Sequence, residues 1–227
     1  MTGFVSDFSR VPDLSLGDRR FRAPSFDRNN QPIGDCLETY LGQIEGNVIE
    51  IGSGPGQHVT AFARRFGHLT WWPTDPLAVH LESIVEWTRV EGVDNVRPPT
   101  PLDAAAPDWR LGEPDRPPAD DVAAILAINV LHITPFAVAE GMFAAAGRTL
   151  VPGGILALYG PFTVGGEHTS PSNAEFDASL RASDREWGVR DMDDLDRLAS
   201  AAGLVPAERA TMPANNFTLV YGAGGNR

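Results

Sequence analysis

The chain has 227 residues, enough for one domain that buries a substantial core without disulfide or metal staples. Its 18 basic and 30 acidic residues leave a net charge of -12, and no basic cluster interrupts that surface, which argues against nucleic acid and anionic membranes as partners. A single cysteine, Cys36, excludes an internal disulfide framework and any multi-cysteine zinc site, and suits a reducing cytoplasm.

The opening stretch "MTGFVSDFSRVPD" has no basic segment followed by an apolar run, so it does not read as a signal peptide. The longest apolar run, "VAAILAINVLHI", falls short of the roughly 20 residues that cross a bilayer. The expectation is a soluble cytoplasmic protein, monomeric or homodimeric.

Residues 1–30 are polar and rich in arginine and aspartate. Asn30 or Gln31 precedes a helix with Pro32 in its first turn, running to Leu41. "NVIEIG" reads as a buried strand. Val59, Phe62, Ala63 and Phe66 then recur at i, i+3, i+4 and i+7, one face of an amphipathic helix. "HLTWWPTD" is a second strand ending at Asp75, followed by a helix over 77–90. "NVRPPTPLD" is a third strand ending near Asp103, kept short or irregular by its prolines. Residues 107–121 read as loop with up to one turn of helix, and "VAAILAINVLH" as a strongly apolar fourth strand. Thr134 caps the next helix with Pro135 at its first position, and Phe136, Phe143 and Leu150 mark its buried face. "VPGG" stops that helix and "ILALYGP" is a fifth strand. A long polar insertion covers 162–190. It is followed by the helix "DMDDLDRLASAAG", with acids in its first turn and Gly203 as its stop. "LVPAERATMP" and "NNFTLVYGA" pair as an antiparallel hairpin at the sheet edge.

This alternation predicts one α/β domain over 1–227, a doubly wound, mainly parallel seven-stranded sheet with a C-terminal antiparallel hairpin. Its ligand belongs at the carboxyl ends of the strands, where the strand order switches. The glycine turn, Asp75, Asp103 and the residues after Asn129 meet there.

In "VIEIGSGPGQH", Gly52, Gly54 and Gly56 let the backbone approach a ligand closely, although a tight strand-to-helix connection is the plainer reading of such a turn. A phosphate loop needs a lysine that is missing here. A dinucleotide turn needs a third small residue where Gln57 stands. Glu50, two residues before the first glycine, is a poor neighbour for pyrophosphate and a good one for an ammonium group. The ligand that suits it is a nucleoside with a cationic tail and no phosphate, which S-adenosylmethionine is.

Glu50-x-Gly52-x-Gly54-x-Gly56 resembles the first motif of class I methyltransferases. The resemblance implies further cofactor anchors: Asp75 for both ribose hydroxyls, Leu102, Asp103 and Ala104 around the adenine, and Asn129 at the methionine end. Asp75 also reads as a helix cap before Pro76. Over nearly the whole chain, "RNNQPI", "EIGSGPGQH", "HLTWWPTDP", "NVLHITP", "LYGPF", "HTSPSNAEFDASLRASDREWGVRD" and "MPANNFTLVY" resemble the methyltransferase-like 26 family, whose acceptor is generally unassigned. By the same analogy, residues 1–44 close over the cofactor, with Arg28 and Asn29 at the site and Arg28 meeting the cofactor carboxylate. A surface arginine is the other reading.

Methyl transfer is an in-line displacement in which the protein chiefly aligns the acceptor. His132 is the first candidate base; the alternative is a histidine bonded to a loop carbonyl. Tyr159 lines the pocket or sits in the core. The 162–190 insertion reads as an acceptor-binding lid, with His168, Asn173 and Arg190 facing the pocket or bonded within the lid. No paired His spacing supports a metal, and no Gly-x-Ser-x-Gly elbow supports a hydrolase. The expected function is transfer of a methyl group to a small molecule, releasing S-adenosylhomocysteine. A cofactor-binding regulator and a nicotinamide-dependent oxidoreductase are the alternatives.

Overall fold

The computed structural model describes residues 18–224. The stretch read above for a signal peptide, and the first part of the 1–44 segment, lie outside the described residues. Helix α1 (Phe26–Leu41) leads to strand β1 (Asn47–Ile51), helix α2 (Gln57–Arg65), strand β2 (Thr70–Thr74) and helix α3 (Ala78–Glu91). Strand β3 (Val122–Ile128), a short 3-10 turn (Leu131–Ile133), helix α4 (Phe136–Thr149) and strand β4 (Leu150–Gly160) follow. The insertion holds strands β5 (Phe162–Val164) and β6 (Glu167–His168), helix α5 (Pro171–Ser183) and strand β7 (Arg190–Asp191). Helix α6 (Met192–Ala201) and strands β8 (Leu204–Met212) and β9 (Asn216–Ala223) close the fold.

The main sheet has the order β2-β1-β3-β4-β9-β8. β1, β2, β3 and β4 run parallel, and β9 pairs antiparallel with both β4 and β8. Alternation along the strands sends Ile49, Ile51, Ile125, Leu156 and Leu158 to one core, under α4 and α6. Val48, Leu126, Ile155, Ala157 and Tyr159 go to a second, under α1 and α2. Both faces are covered, which is why β3 is apolar throughout. The chain leaves β1 toward β2 on one side and returns to β3 on the other, so the switch of direction falls between β1 and β3.

Three expectations are corrected. The seventh strand, "NVRPPTPLD", reduces to two isolated parallel bridges, Trp71 with Val96 and Thr74 with Thr100. Pro98 and Pro99 lack the N–H groups a ladder needs. Helix α1 begins at Phe26 with Pro32 inside it. Its extra first turn is held by tertiary contacts: Phe26 packs edge-on against His58, and Asn29 Oδ1 is bonded to His58 Nε2 at 2.9 Å. Thr134 does not cap α4, because its hydroxyl donates back to the Val130 carbonyl and the residue before the helix is Pro135.

In the insertion, "PSNAEFDASLRA", whose Phe176 and Leu180 at i, i+4 read as helical, is helix α5. β6, β5 and β7 form a three-stranded sheet, and Leu180, Trp187 and Val189 make a small core with Ile133 and Phe176 packed on it. Arg190 donates to the carbonyls of Leu131, Thr134 and Glu186, and Gly188 N donates to the His132 carbonyl at 3.0 Å. These bonds fasten the insertion to the turn after β3.

Candidate functional site

A cavity of about 660 Å³ opens at the carboxyl ends of β1 and β3, a size typical of small-molecule sites. Its floor is the turn after β1. Glu50 lies there 2 % exposed, and its Oε2 meets no partner. Burial pushes the carboxyl up to about 7; a Ser53 hydrogen bond works against that rise and nearby Asp75 adds to it. A buried acceptor without a donor is costly, so this oxygen suits a ligand that brings a charged or polar N–H.

Gly54 contributes bare backbone: a Cβ built on it meets nothing within 4 Å. Gly56 faces the other way, where a Cβ would stand 2.8 Å from Ile84 Cα, so it sets the packing of α3 and is not on the cavity wall. Gln57 is also off the wall. Its Oε1 accepts from Ala23 N at 2.6 Å and anchors the segment that carries Ala23, Pro24, Ser25 and Arg28 over the opening. Asn29, fully buried against His58, supports that segment without lining the cavity.

Asp75 is buried at the end of β2 with three of its roughly four acceptor positions taken. Oδ1 accepts from Leu77 N and is bonded to His80 Nδ1, and Oδ2 accepts from Gly54 N, all at 2.9 Å. One position stays open on Oδ2, so taking both ribose hydroxyls would require the Gly54 N–H to give way. Asp75 does not itself cap α3, whose N-cap is Leu77; its bond to Leu77 N braces the approach to the helix. Leu102, Asp103 and Ala104 line the same side, with exposed Asp103 turning its Oδ1 back to accept from Ala105 N. Asn129 ends β3 at φ 60, a left-handed conformation that asparagine tolerates, and its N–H donates to the Tyr159 carbonyl.

His132 lines the cavity, edge-on to Phe176. Neither ring nitrogen has a hydrogen-bond partner among the described residues, so it is not the carbonyl-bonded histidine of the alternative reading. Burial, with the Arg190 guanidinium nearby, lowers its pKa to about 4, so the imidazole is neutral near pH 7. Tyr159 and His168, the other candidates for the chemistry, are not on this wall. Tyr159 is packed in the core, its hydroxyl accepting from Asn216 Nδ2 at 3.0 Å. His168 lines a separate, smaller hollow and stands 3.5 Å from Asp177. Arg190 lines that hollow as well, whereas Asn173 reaches the main cavity.

Sequence reasoning missed His80, Ala214 and Asn216, all on the main wall. His80 stands one helical turn beyond the predicted helix start, where its tie to Asp75 has no motif. Asn216 was legible only as turn chemistry in "PANN".

A sequence model of one family, described as "Protein of unknown function (DUF938)", matches residues 20–223. The chain belongs to that family. Among solved structures, this DUF938 member is similar to an O-methyltransferase family protein from Burkholderia thailandensis, at 16 % identity and TM-score 0.72, over 87 % of this chain and 57 % of that one. It is also similar to an O-methyltransferase family 2 protein from Planctomyces limnophilus in complex with apigenin, at 19 % identity and TM-score 0.70, over 93 % of this chain and 59 % of that one. A third likeness is to geranyl diphosphate C-methyltransferase from Streptomyces coelicolor, in complex with Mg2+, geranyl diphosphate and S-adenosyl-L-homocysteine. It has 14 % identity and TM-score 0.66, over 86 % of this chain and 79 % of that one. The chain therefore spans less than two thirds of the first two proteins' length, and these likenesses establish a class I methyltransferase fold. No helix among the described residues is long and apolar enough to cross a membrane.

Proposed function

We propose that this protein is an S-adenosylmethionine-dependent methyltransferase acting on a small molecule. The observation that carries the reading is the unpartnered, buried Glu50 oxygen beside the open Gly54 backbone. A cofactor whose tail ends in an ammonium group supplies the missing donor there. Arg28, exposed at the rim, suits the cofactor carboxylate, and Asp75 a ribose hydroxyl. The segment from Ala23 to Arg28 covers the cofactor, and α5 with its flanking strands serves as the acceptor lid. The resemblance to the methyltransferase-like 26 family fits the same reading, as does a cytoplasmic site of action for a chain with one cysteine.

When bound, the cofactor supplies a methyl group activated by its sulfonium. The chain aligns an acceptor in line with it and keeps water out. His132 takes the acceptor's proton. A base held near pKa 4 is weak toward a free hydroxyl, but that proton becomes far more acidic as positive charge develops on the attacking atom, so a neutral imidazole suffices.

The test compares thermal unfolding with S-adenosylmethionine, S-adenosylhomocysteine and NAD. The first two, at a hundred times their dissociation constants, stabilise the fold by about 2.7 kcal/mol, and NAD has no effect. Stabilisation by NAD alone would sink the reading. Cofactor binding without S-adenosylhomocysteine formation on any of a broad set of acceptors would assign a regulatory role instead.

A further inference from the structure

We propose that the turn between β8 and β9, together with Asn173 of the lid, forms a recognition edge of two amide oxygens that selects an uncharged acceptor bearing hydroxyl or amine donors. This inference rests on the methyltransferase reading and adds the chemical class of the acceptor.

The turn Pro213–Asn215 places two consecutive non-glycine residues, Ala214 at φ 58 and Asn215 at φ 56, in the left-handed region. A left-handed alanine costs roughly 1–2 kcal/mol whereas asparagine tolerates the conformation, and strained residues gather where a site needs an unusual geometry. Here the strained turn delivers Ala214 and Asn216 to the cavity wall. Asn173 reaches the same place from α5. Its Nδ2 donates to the Asn215 carbonyl at 3.0 Å and to Thr169 Oγ1 at 3.1 Å. The two amides are therefore neighbours, since Asn215 directly precedes Asn216.

Their orientation is fixed. Asn216 Nδ2 donates to the Pro213 carbonyl at 3.2 Å and to the Tyr159 hydroxyl at 3.0 Å. A carbonyl oxygen can only accept, so an NH2 must face it in both residues, and neither amide can flip. Both NH2 groups are thus spent, and both Oδ1 atoms accept nothing among the described residues. The cavity they share also carries the apolar Ile133, Val138, Pro161 and Phe176, and His132 stands neutral beside Phe176.

A ligand at this edge meets lone pairs. A carboxylate or phosphate would bring more lone pairs into the same space, and Arg28, whose charge reaches the Tyr159 hydroxyl, is exposed to solvent that screens it. A planar ring with hydroxyl or amine hydrogens on one edge satisfies both oxygens and leaves its faces to the apolar wall. Sites built to pair with a substrate hydrogen reject analogues that lack it far more strongly than apolar pockets reject size changes.

The experiment titrates the full chain, saturated with S-adenosylhomocysteine, with four probes: catechol, 2-methoxyphenol, 1,2-dimethoxybenzene and benzoate. Catechol is expected to bind tightest, each capped hydroxyl to weaken binding tenfold or more, and benzoate to bind worst. Asn173→Ala and Asn216→Ala should erase the gap between catechol and 1,2-dimethoxybenzene. A variant that does not fold leaves the decision to the probe series on the native chain. Equal binding of the neutral probes, preference for benzoate, or no binding by any probe overturns the inference. Failure to bind S-adenosylhomocysteine at all overturns the methyltransferase reading instead, so the two failures are distinguishable.

Discussion

Two glycines in the turn after β1 separate folding from ligand binding. A methyl group added at Gly54, φ 54, would project into open cavity, whereas one added at Gly56, φ 98, would strike Ile84 Cα in α3. Gly54→Ala should cost only the roughly 1–2 kcal/mol of a left-handed alanine while lowering S-adenosylhomocysteine affinity tenfold or more. Gly56→Ala should cost more than that in stability alone. Denaturant unfolding and ligand titration of the two variants check this. Glu50 carries a pH signature. Its carboxyl rises from 4.5 to about 7, so the folded state holds a proton that the unfolded chain has released. Its contribution to stability is complete below pH 4.5 and is lost as pH rises through 7. Glu50→Gln should therefore stabilise the empty protein at pH 8, by up to about 3 kcal/mol from the roughly 2.5-unit shift. An ammonium ligand prefers the ionised carboxylate, so native affinity should climb about fivefold from pH 6 to 7 and then level off. In Glu50→Gln, affinity should be lower throughout and lack that slope, as calorimetric titration across pH would record.

At the scale of elements, the insertion after β4 behaves as a subunit of the fold with its own small core. Trp187 is 3 % exposed within it and packs with Leu180 and Val189. Trp187→Ala should cost about 3–5 kcal/mol in that region, releasing α5 to proteolysis and abolishing turnover while the β1 turn still binds S-adenosylhomocysteine. Limited proteolysis beside a binding assay separates these outcomes. The helices, the parallel strands and the terminal hairpin were legible because their apolar periodicity is strong and Gly203 marks the end of α6; "VPGG", expected to stop α4, instead lies inside β4, which begins at Leu150. The start of α1 was not, because Phe26 and Asn29 owe their helical turn to His58, a contact that sequence spacing does not reveal. The cavity floor was legible through Glu50 and the glycines, since backbone and charge act locally there. The wall proposed for the acceptor was not, because Asn173 is tied to the residue before Asn216 through the Asn215 carbonyl, across 42 positions of chain.

For the molecule as a whole, three buried groups govern the response to acid. His58 and His132 are each held near pKa 4, chiefly by burial, against 6.5 in the open chain, and Glu50 moves the opposite way. Between about pH 4.5 and 6.5 the unfolded chain takes up two protons at the histidines, while the folded chain keeps one at Glu50. Unfolding therefore takes up one net proton from these groups, and stability falls as pH falls, by about 1.4 kcal/mol per unit. His58→Gln should flatten that acid-side slope, as melting curves from pH 7 to 4.5 would show.

The prolines that kept the segment beside β2 from becoming a full strand also shape the exposed margin of the sheet. Pro98 and Pro99 leave gaps in the row of donors on that flank, and at the opposite flank β8 carries Pro206, a register shift before Glu208, and the charged pair Glu208 and Arg209. Neither margin offers an unbroken template on which a stranger's backbone could zip. Crowded solutions of this acidic protein should accordingly resist fibril growth, because residue choice interrupts both borders of its sheet.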